Sequence, residues 1–311
     1  MPKTDDVIAG MTQAIIDIME KEPDNWTKPW AGVSGMPHNP QTGTIYSGGN
    51  VFTLMIDMWS RSTGDPRYST YKGWEKLGAQ VMKGETGNGI LYVTKAWFND
   101  PTKKWKNKKP ADSTGWNQKY MLKAYAVFHA SQVEGAPEWE QPVTSPDIDV
   151  NVHRNWFQSI GADWIEQAQD RAFYSPSKDQ IATPLDTQFA GEVEWFGVVA
   201  HEFTHWTGHK SRLDREGVRG FSDRKSYAYE ELVAELGASL LAVALGVESK
   251  PRPDHAHYIK SWLKALDNDY KFIWDAAGLA SKAVNYILDN ADKIPQPEGE
   301  ESAQNPDTIS V

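Results

Sequence analysis

Apolar residues Val7, Ile8, Met11, Ile15, Ile18 and Met19 recur on one stripe of a 3.6-residue repeat. DDVIAGMTQAIIDIMEK therefore predicts an amphipathic helix that ends before KEPDNW. NWTKPWAG and MPHNPQTGTIYSGGN (36–50) are rich in Pro, Gly and Asn and predict turns. Short helices follow at 51–60 and 70–80. The pattern changes at GILYVTKAWF (89–98) and KAYAVFHASQV (123–133), whose β-branched and aromatic content is that of strands. PTKKWKNKKPADSTGWNQKY, between them, is too polar for a core and predicts an exposed excursion.

After Val133 the pattern lapses. EGAPEWEQPVTSPDIDV carries three prolines and five acids, and 136–150 reads as a linker. Beyond it come a helix near 151–160, a hairpin or edge strand over FYSPSKDQIATPL (173–185), and helices at 189–207, 226–246, 255–266 and 270–290. Residues 291–311 are acidic without apolar periodicity and are expected to be a disordered tail. The fold class this implies is α+β in two domains: a mixed α/β domain over 1–135 and a mainly helical domain with a small sheet over 151–290.

Composition narrows the chemistry. The 311-residue chain is 40% hydrophobic, as a globular protein would be, is unusually rich in tryptophan with 14 Trp, and contains no cysteine. Disulfides, thiolate metal sites and cysteine nucleophiles are excluded, so any metal rests on His and carboxylate. The first residues are acidic where a secretory leader is basic, and no apolar run is long enough for a membrane span, so a soluble, cytoplasmic protein without a membrane partner is expected. The net charge of −10 divides unevenly, with an excess of three bases over 1–135 and thirteen acids over the rest. Only the first half suits a phosphate backbone.

The main chemical signal is VVAHEFTHWTGH (198–209). On a helix, His201 and His205 direct two imidazoles at one ion, with Glu202 beside them. Val193, Phe196, Val199, Ala200 and Phe203 supply the helical periodicity, and Gly208 stands where the helix would stop. A catalytic zinc takes three protein ligands and a water, so one ligand is missing. The metzincin continuation would place a third histidine at 211, where this chain has Ser211. The other route is a carboxylate on a following helix, and YAYEELVAELGASLLAVALG (227–246) offers Glu230, Glu231 and Glu235.

Glu231 and Glu235, four apart, resemble the E-x-x-x-D of gluzincins such as thermolysin. That likeness implies Glu231 as third metal ligand and Glu235 as the group orienting His201, leaving Glu230 facing outward. The expected ion is Zn²⁺, with another divalent ion such as Mn²⁺ as the alternative. Glu202 would take a proton from water and pass it to the leaving amine of an unidentified peptide or protein substrate. Tyr227, His209, His255 and His257 are unranked candidates for an oxyanion donor. The segment 173–185 is expected to offer a sheet edge to the substrate backbone.

In the first half, aromatics interleave with bases in NWTKPW, RYSTYKGW and KKWKNKK, a composition suited to stacking unpaired bases. Trp26, Trp30, Arg67, Lys72, Trp74, Lys103, Lys104, Trp105 and Lys106 are the candidate contacts to single-stranded DNA. The opposing interpretation is core packing for the tryptophans and a solvated loop for the lysines.

WTKPW, PHNPQTGTIYSGGN, DPRYSTYKGWEKLGAQVMKGE, YAVFHASQVEG, HEFTHWTGHKSRLD and YAYEELVAELGASLL together resemble ArdC-type antirestriction proteins of plasmids and phages, over roughly residues 5–290. The resemblance implies an N-terminal single-stranded-DNA-binding domain, a C-terminal zincin-like metallopeptidase domain, and protection of incoming mobile DNA from host restriction. Two competing readings stand beside it. One is a non-catalytic single-stranded-DNA-binding protein whose metal site is structural; the other is a protease that does not engage DNA.

Overall fold

The structure is a computed structural model and describes residues 4–21, 35–99, 106, 109, 111, 114–140, 149–219, 224–247 and 271–292. Trp26, Trp30, Lys103, Lys104, Trp105, His255, His257, the helix expected at 255–266, most of the linker and nearly all of the tail lie outside the described residues.

The N-terminal half contains α1 (Thr4–Lys21), α2 (Gly49–Ser60), β1 (Tyr68–Ser69), α3 (Tyr71–Lys76), β2 (Gln80–Val81), β3 (Asn88–Phe98), β4 (Asn117–His129) and β5 (Val133–Glu134). Thr70 caps α3 by accepting from the Gly73 amide. The helix is shorter than predicted because Gly78 adopts φ +80° and turns the chain into β2. The sheet order is β1-β4-β3, and β3 and β4 form a long antiparallel ribbon with Ile90 opposite Tyr125 and Lys95 opposite Tyr120. β4 begins at Asn117, so NQKY belongs to the ribbon and not to the excursion. Pairing with β3 supplies hydrogen bonds that its polar composition does not announce.

The C-terminal half contains α4 (Val150–Ser159), β6 (Asp163–Glu166), β7 (Phe173–Ser175), β8 (Gln180–Thr183), α5 (Glu192–Thr207), α6 (Glu216–Arg219), α7 (Arg224–Ala244) and α8 (Phe272–Asn290). Asp149 caps α4 through the Asn151 amide. The three-stranded sheet has the order β6-β8-β7, with β8 parallel to β6 and antiparallel to β7. Buried Ile181, Ala182 and Thr183 place β8 in its interior. The sheet faces α5 across tilted and edge-on rings: Phe157, Trp164, Trp195 and Phe203 meet with centroids 4.7–6.3 Å apart.

Helices α5, α7 and α8 form the main core. Fully buried Ala276, Ala277, Ala280 and Ala283 on α8 let helices approach closely. The same apolar cluster takes in Met11, Val51, Phe52 and Met55 from α1 and α2, so the core runs across both halves of the chain. Gly48 and Gly49 make that junction. The Gly48 amide donates to Ser281 Oγ at 3.1 Å, and a Cβ on Gly49 would overlap the Trp274 ring. Among the described residues no helix is long and apolar enough to cross a membrane.

Candidate metal centre

α5 carries His201, Glu202 and His205. Glu192 and Glu194 sit in its first turn, where the helix dipole favours negative charge, and it closes at Gly208, whose amide donates to the His205 carbonyl. Gly208 also admits the Arg215 guanidinium and Val218, which a Cβ would displace. α7 crosses α5 at Gly237, where a Cβ would strike Thr204. That close approach brings the Glu231 face of α7 against the two histidines.

The Nε2 atoms of His201 and His205 lie 3.1 Å apart, and Glu231 places Oε2 3.6 Å from the first and Oε1 3.5 Å from the second. Ligand atoms around a tetrahedral ion with bonds of about 2.0–2.1 Å are roughly 3.3 Å apart, so this triangle has the dimensions of one face of such a site. Behind it, His201 Nδ1 lies 3.0 Å from Glu235 Oε1, and His205 Nδ1 lies 3.2 Å from Glu230 Oε1. The His201 contact is off the N–H axis. Among the described residues Nδ1 is the only side-chain nitrogen or oxygen cut off from solvent that lacks an aligned hydrogen bond.

A carboxylate stands behind each ring at Nδ1, which favours the tautomer that turns the Nε2 lone pair toward the third acceptor, Glu231. Such a grouping requires a cation. Without a metal, protons serve. Burial opposes the charged imidazolium of His205, but its hydrogen bonds to Glu230 and Glu231 and their charges outweigh this and raise its pKa to about 10. His201 is also raised: burial lowers it, and Glu235 and Glu231 more than offset that. Burial would raise Glu231, but the two histidines hold it well below the ordinary carboxylate range. The donors therefore fit a divalent ion of intermediate hardness, with two nitrogens and one oxygen. Glu202 is buried beside His201, and among the described residues no hydrogen bond or ion pair engages its carboxylate.

Glu230 corrects the sequence reading. It does not face outward: it is 1% exposed, its carboxylate receives Arg215 Nη2 at 2.7 Å and Nε at 3.1 Å, and it stands behind His205. Arg215 also donates to Thr207 Oγ1 and to the Thr204 carbonyl, each at 2.6 Å, and so ties the end of α5 to α7. Helix periodicity places neighbouring residues on different faces, but the second face of α7 is covered by a loop whose path the pattern does not encode. Arg215, in SRLDREG, was missed; it carried no motif, only a single base between two acids.

The sheet edge expected over 173–185 falls on β7 and not on β8. β8 is paired on both sides and cannot accept another strand, which leaves β7 as the edge of that hairpin. Asp179, at φ +52° in the turn, receives Tyr174 Oη at 2.8 Å and Arg212 Nη1 at 2.9 Å, and the Arg212 guanidinium lies 3.9 Å from the Trp206 ring centre. These contacts fasten the hairpin to the segment following α5. His209 turns toward Ser211 and Asp179, and Tyr227 lies one turn before Glu231 on α7.

Two DNA candidates are removed from the surface. Trp74 is fully buried with Nε1 donating to the Phe128 carbonyl at 2.9 Å, so its ring has no face for a base. Arg67 is buried, paired with Asp65 at 2.8 Å and bonded to the Pro137 carbonyl. Lys72 and Lys106 are exposed.

A model of zincin-like metallopeptidases matches residues 152–279, and one of the N-terminal domain of anti-restriction factor ArdC matches residues 5–128. The crystal structure of antirestriction ArdC from the R388 plasmid in metal-free form is similar, with a TM-score of 0.73 and 35% identity, covering 92% of this chain and 97% of that one. The Mn(II)-bound structure of that protein gives 0.73 and 34%, covering 92% and 98%. DNA primase TraC of Escherichia coli is 34% identical over 288 residues, covering 89% of this chain but 26% of the primase, so the chain spans about a quarter of that relative. The uncharacterized protein y4eC of Sinorhizobium fredii is 29% identical over 91% of both chains.

Proposed function

Since this chain belongs to the ArdC family of antirestriction proteins, we propose that it protects incoming DNA from restriction by binding single-stranded DNA and hydrolysing a peptide bond in a protein met there. The observation that carries the hydrolytic half is the convergence of His201 Nε2, His205 Nε2 and a Glu231 oxygen, three acceptors aimed at one point.

His201, His205 and Glu231 would hold a divalent ion, Zn²⁺ or the Mn²⁺ named for the R388 relative. Such an ion supplies a Lewis acid that polarises a carbonyl and acidifies water. The chain's own groups do the rest. Glu235 and Glu230 keep the imidazole protons at Nδ1 and the Nε2 lone pairs available. Glu202, buried and unpaired among the described residues, accepts a proton from water at its carboxylate and returns it to the departing amine. The ring cluster of Phe157, Trp164 and Phe203 lines the back of α5 and keeps bulk water from that side. Tyr227, on the Glu231 side of α7, is the oxyanion donor this arrangement favours.

Glu202→Ala tests the reading in a transfer assay with a restricting recipient. Loss of protection with retained metal and retained binding of single-stranded DNA is expected. Full protection by that variant would assign the effect to DNA coverage, with the metal site structural.

A further inference from the structure

Among the described residues, much of one face of the β3–β4 ribbon is exposed. An antiparallel strand of eleven residues spans about 37 Å; its proximal end packs where Leu91 and Ala124 meet Val7 and Ile8 of α1, and farther out Ala96, on the opposite face, is also buried. Cross-strand partners share a face, so the face that begins at Leu91 and Ala124 continues outward as Val93 with Leu122, Lys95 with Tyr120, and Trp97 with Gln118. Val93 is 40% exposed, Leu122 47% and Tyr120 61%. Two cations lie over rings on this face: Lys95 Nζ is 5.9 Å from the Tyr120 ring centre and Lys109 Nζ is 5.6 Å from that of Trp97.

An apolar and aromatic strip of this kind in water is unfavourable unless a partner covers it. Charge identifies the partner. Residues 88–129 hold eight lysines and two acids, Asp100 and Asp112, in a chain whose net charge is −10, and neither β3 nor β4 contains an acid; Lys95 and Lys109 lie over rings of this face, whereas Lys119 and Lys123 belong to the opposite one. A polyanion fits this surface. Flat rings between lysines match a strand whose bases are unpaired and have faces to offer, whereas duplex bases are already stacked on one another.

We propose that the face carrying Val93, Lys95, Trp97, Tyr120 and Leu122 is the site at which a single strand of DNA lies, with Tyr120 stacking a base and Lys95 neutralising a phosphate. The proposal rests on the single-stranded-DNA reading above and assigns it to residues other than Trp74 and Arg67.

The test is fluorescence anisotropy of the full chain with a labelled oligo(dT) of about twenty nucleotides, across a salt series, with oligo(rU) and a duplex of equal length as further arms. Tyr120→Ala is expected to weaken oligo(dT) binding about tenfold or more, and Tyr120→Phe, which keeps the ring, to restore it. Lys95→Ala is expected to lower the slope of log affinity against log salt by about 0.7. Tyr92→Ala, an equally exposed tyrosine on the opposite face, is expected to bind as the parent does. Equal binding by parent, Tyr120→Ala and Lys95→Ala overturns the ribbon site while leaving single-stranded binding intact. Preference for duplex or for oligo(rU) overturns the DNA single-strand assignment, and no binding by the parent overturns the reading beneath it.

Discussion

Arg215 Nη2 donates to Glu230 Oε1 at 2.7 Å, with both side chains almost wholly buried, and the same carboxylate oxygen stands 3.2 Å from His205 Nδ1. The pair therefore links the folding of the loop after α5 to the orientation of a candidate metal ligand. Removing one member of a buried ion pair leaves a charge without compensation, which costs about 3–5 kcal/mol. Arg215→Met is expected to destabilise the metal-free protein by about that amount in urea unfolding, and Arg215→Met with Glu230→Leu to recover part of it. The double variant is expected to bind metal about 10–100-fold more weakly than the parent, because nothing then orients His205. Unchanged affinity would separate Glu230 from the metal.

Ligand and base roles separate by thermal stability. A metal that binds only the folded chain stabilises it by about 2.7 kcal/mol at a hundredfold excess over its dissociation constant. Adding Zn²⁺ or Mn²⁺ to chelator-treated protein is expected to raise the melting temperature of the parent and of Glu202→Ala. It is expected to leave His205→Ala and Glu231→Ala unmoved. Differential scanning calorimetry with and without metal checks this.

Gly237 tests helix spacing. In a helix interior, Gly→Ala ordinarily stabilises by about 0.5–1 kcal/mol, but here the added Cβ meets Thr204. Overpacking of this kind costs about 1–3 kcal/mol and wins. Gly237→Ala is expected to lower stability and, by pushing α7 from α5, to weaken metal binding measured by calorimetric titration. A more stable variant with unchanged affinity would contradict the close crossing.

His129 gives a pH signature. It is fully buried; its Nε2 donates to the Asp65 carbonyl at 2.7 Å, and its Nδ1 accepts the Ser131 amide at 3.0 Å. Burial, the largest influence, lowers its pKa, and the Asp65 contacts only partly offset this. The folded state thus holds it neutral. Its contribution to stability is complete above the ordinary histidine value of about 6.5 and declines as pH falls below it toward the lower folded value. Urea unfolding of the parent and His129→Gln between pH 5 and pH 8 is expected to show a larger loss of stability on acidification in the parent. Parallel pH profiles would contradict a buried neutral imidazole.

The sequence exposed those features whose signal is local. The helical period around His201 and His205, the stop at Gly208 and the carboxylates on the next apolar helix are each visible within a dozen residues. α2, β3, α4, α5, α7 and α8 follow their patterns to within a few residues. What escaped depends on partners distant in sequence. Arg215 and Glu230 meet through a loop, β8 becomes interior only because β6 pairs with it, and Trp74 looked like a stacking residue until β4 covered it. Nor does the sequence show that α1 and α2 contribute to the apolar cluster of α8, a junction that Gly48 and Gly49 permit but do not announce.

The central claim is that two imidazoles of α5 and one carboxylate of α7 hold a single divalent ion. Elemental analysis of purified protein loaded with Zn²⁺ or Mn²⁺ and then desalted tests it most directly. One ion per chain in the parent and in Glu202→Gln, and none in His205→Ala or Glu231→Ala, is the expected result. A parent without metal, or a Glu231→Ala variant that retains its full complement, would contradict the account.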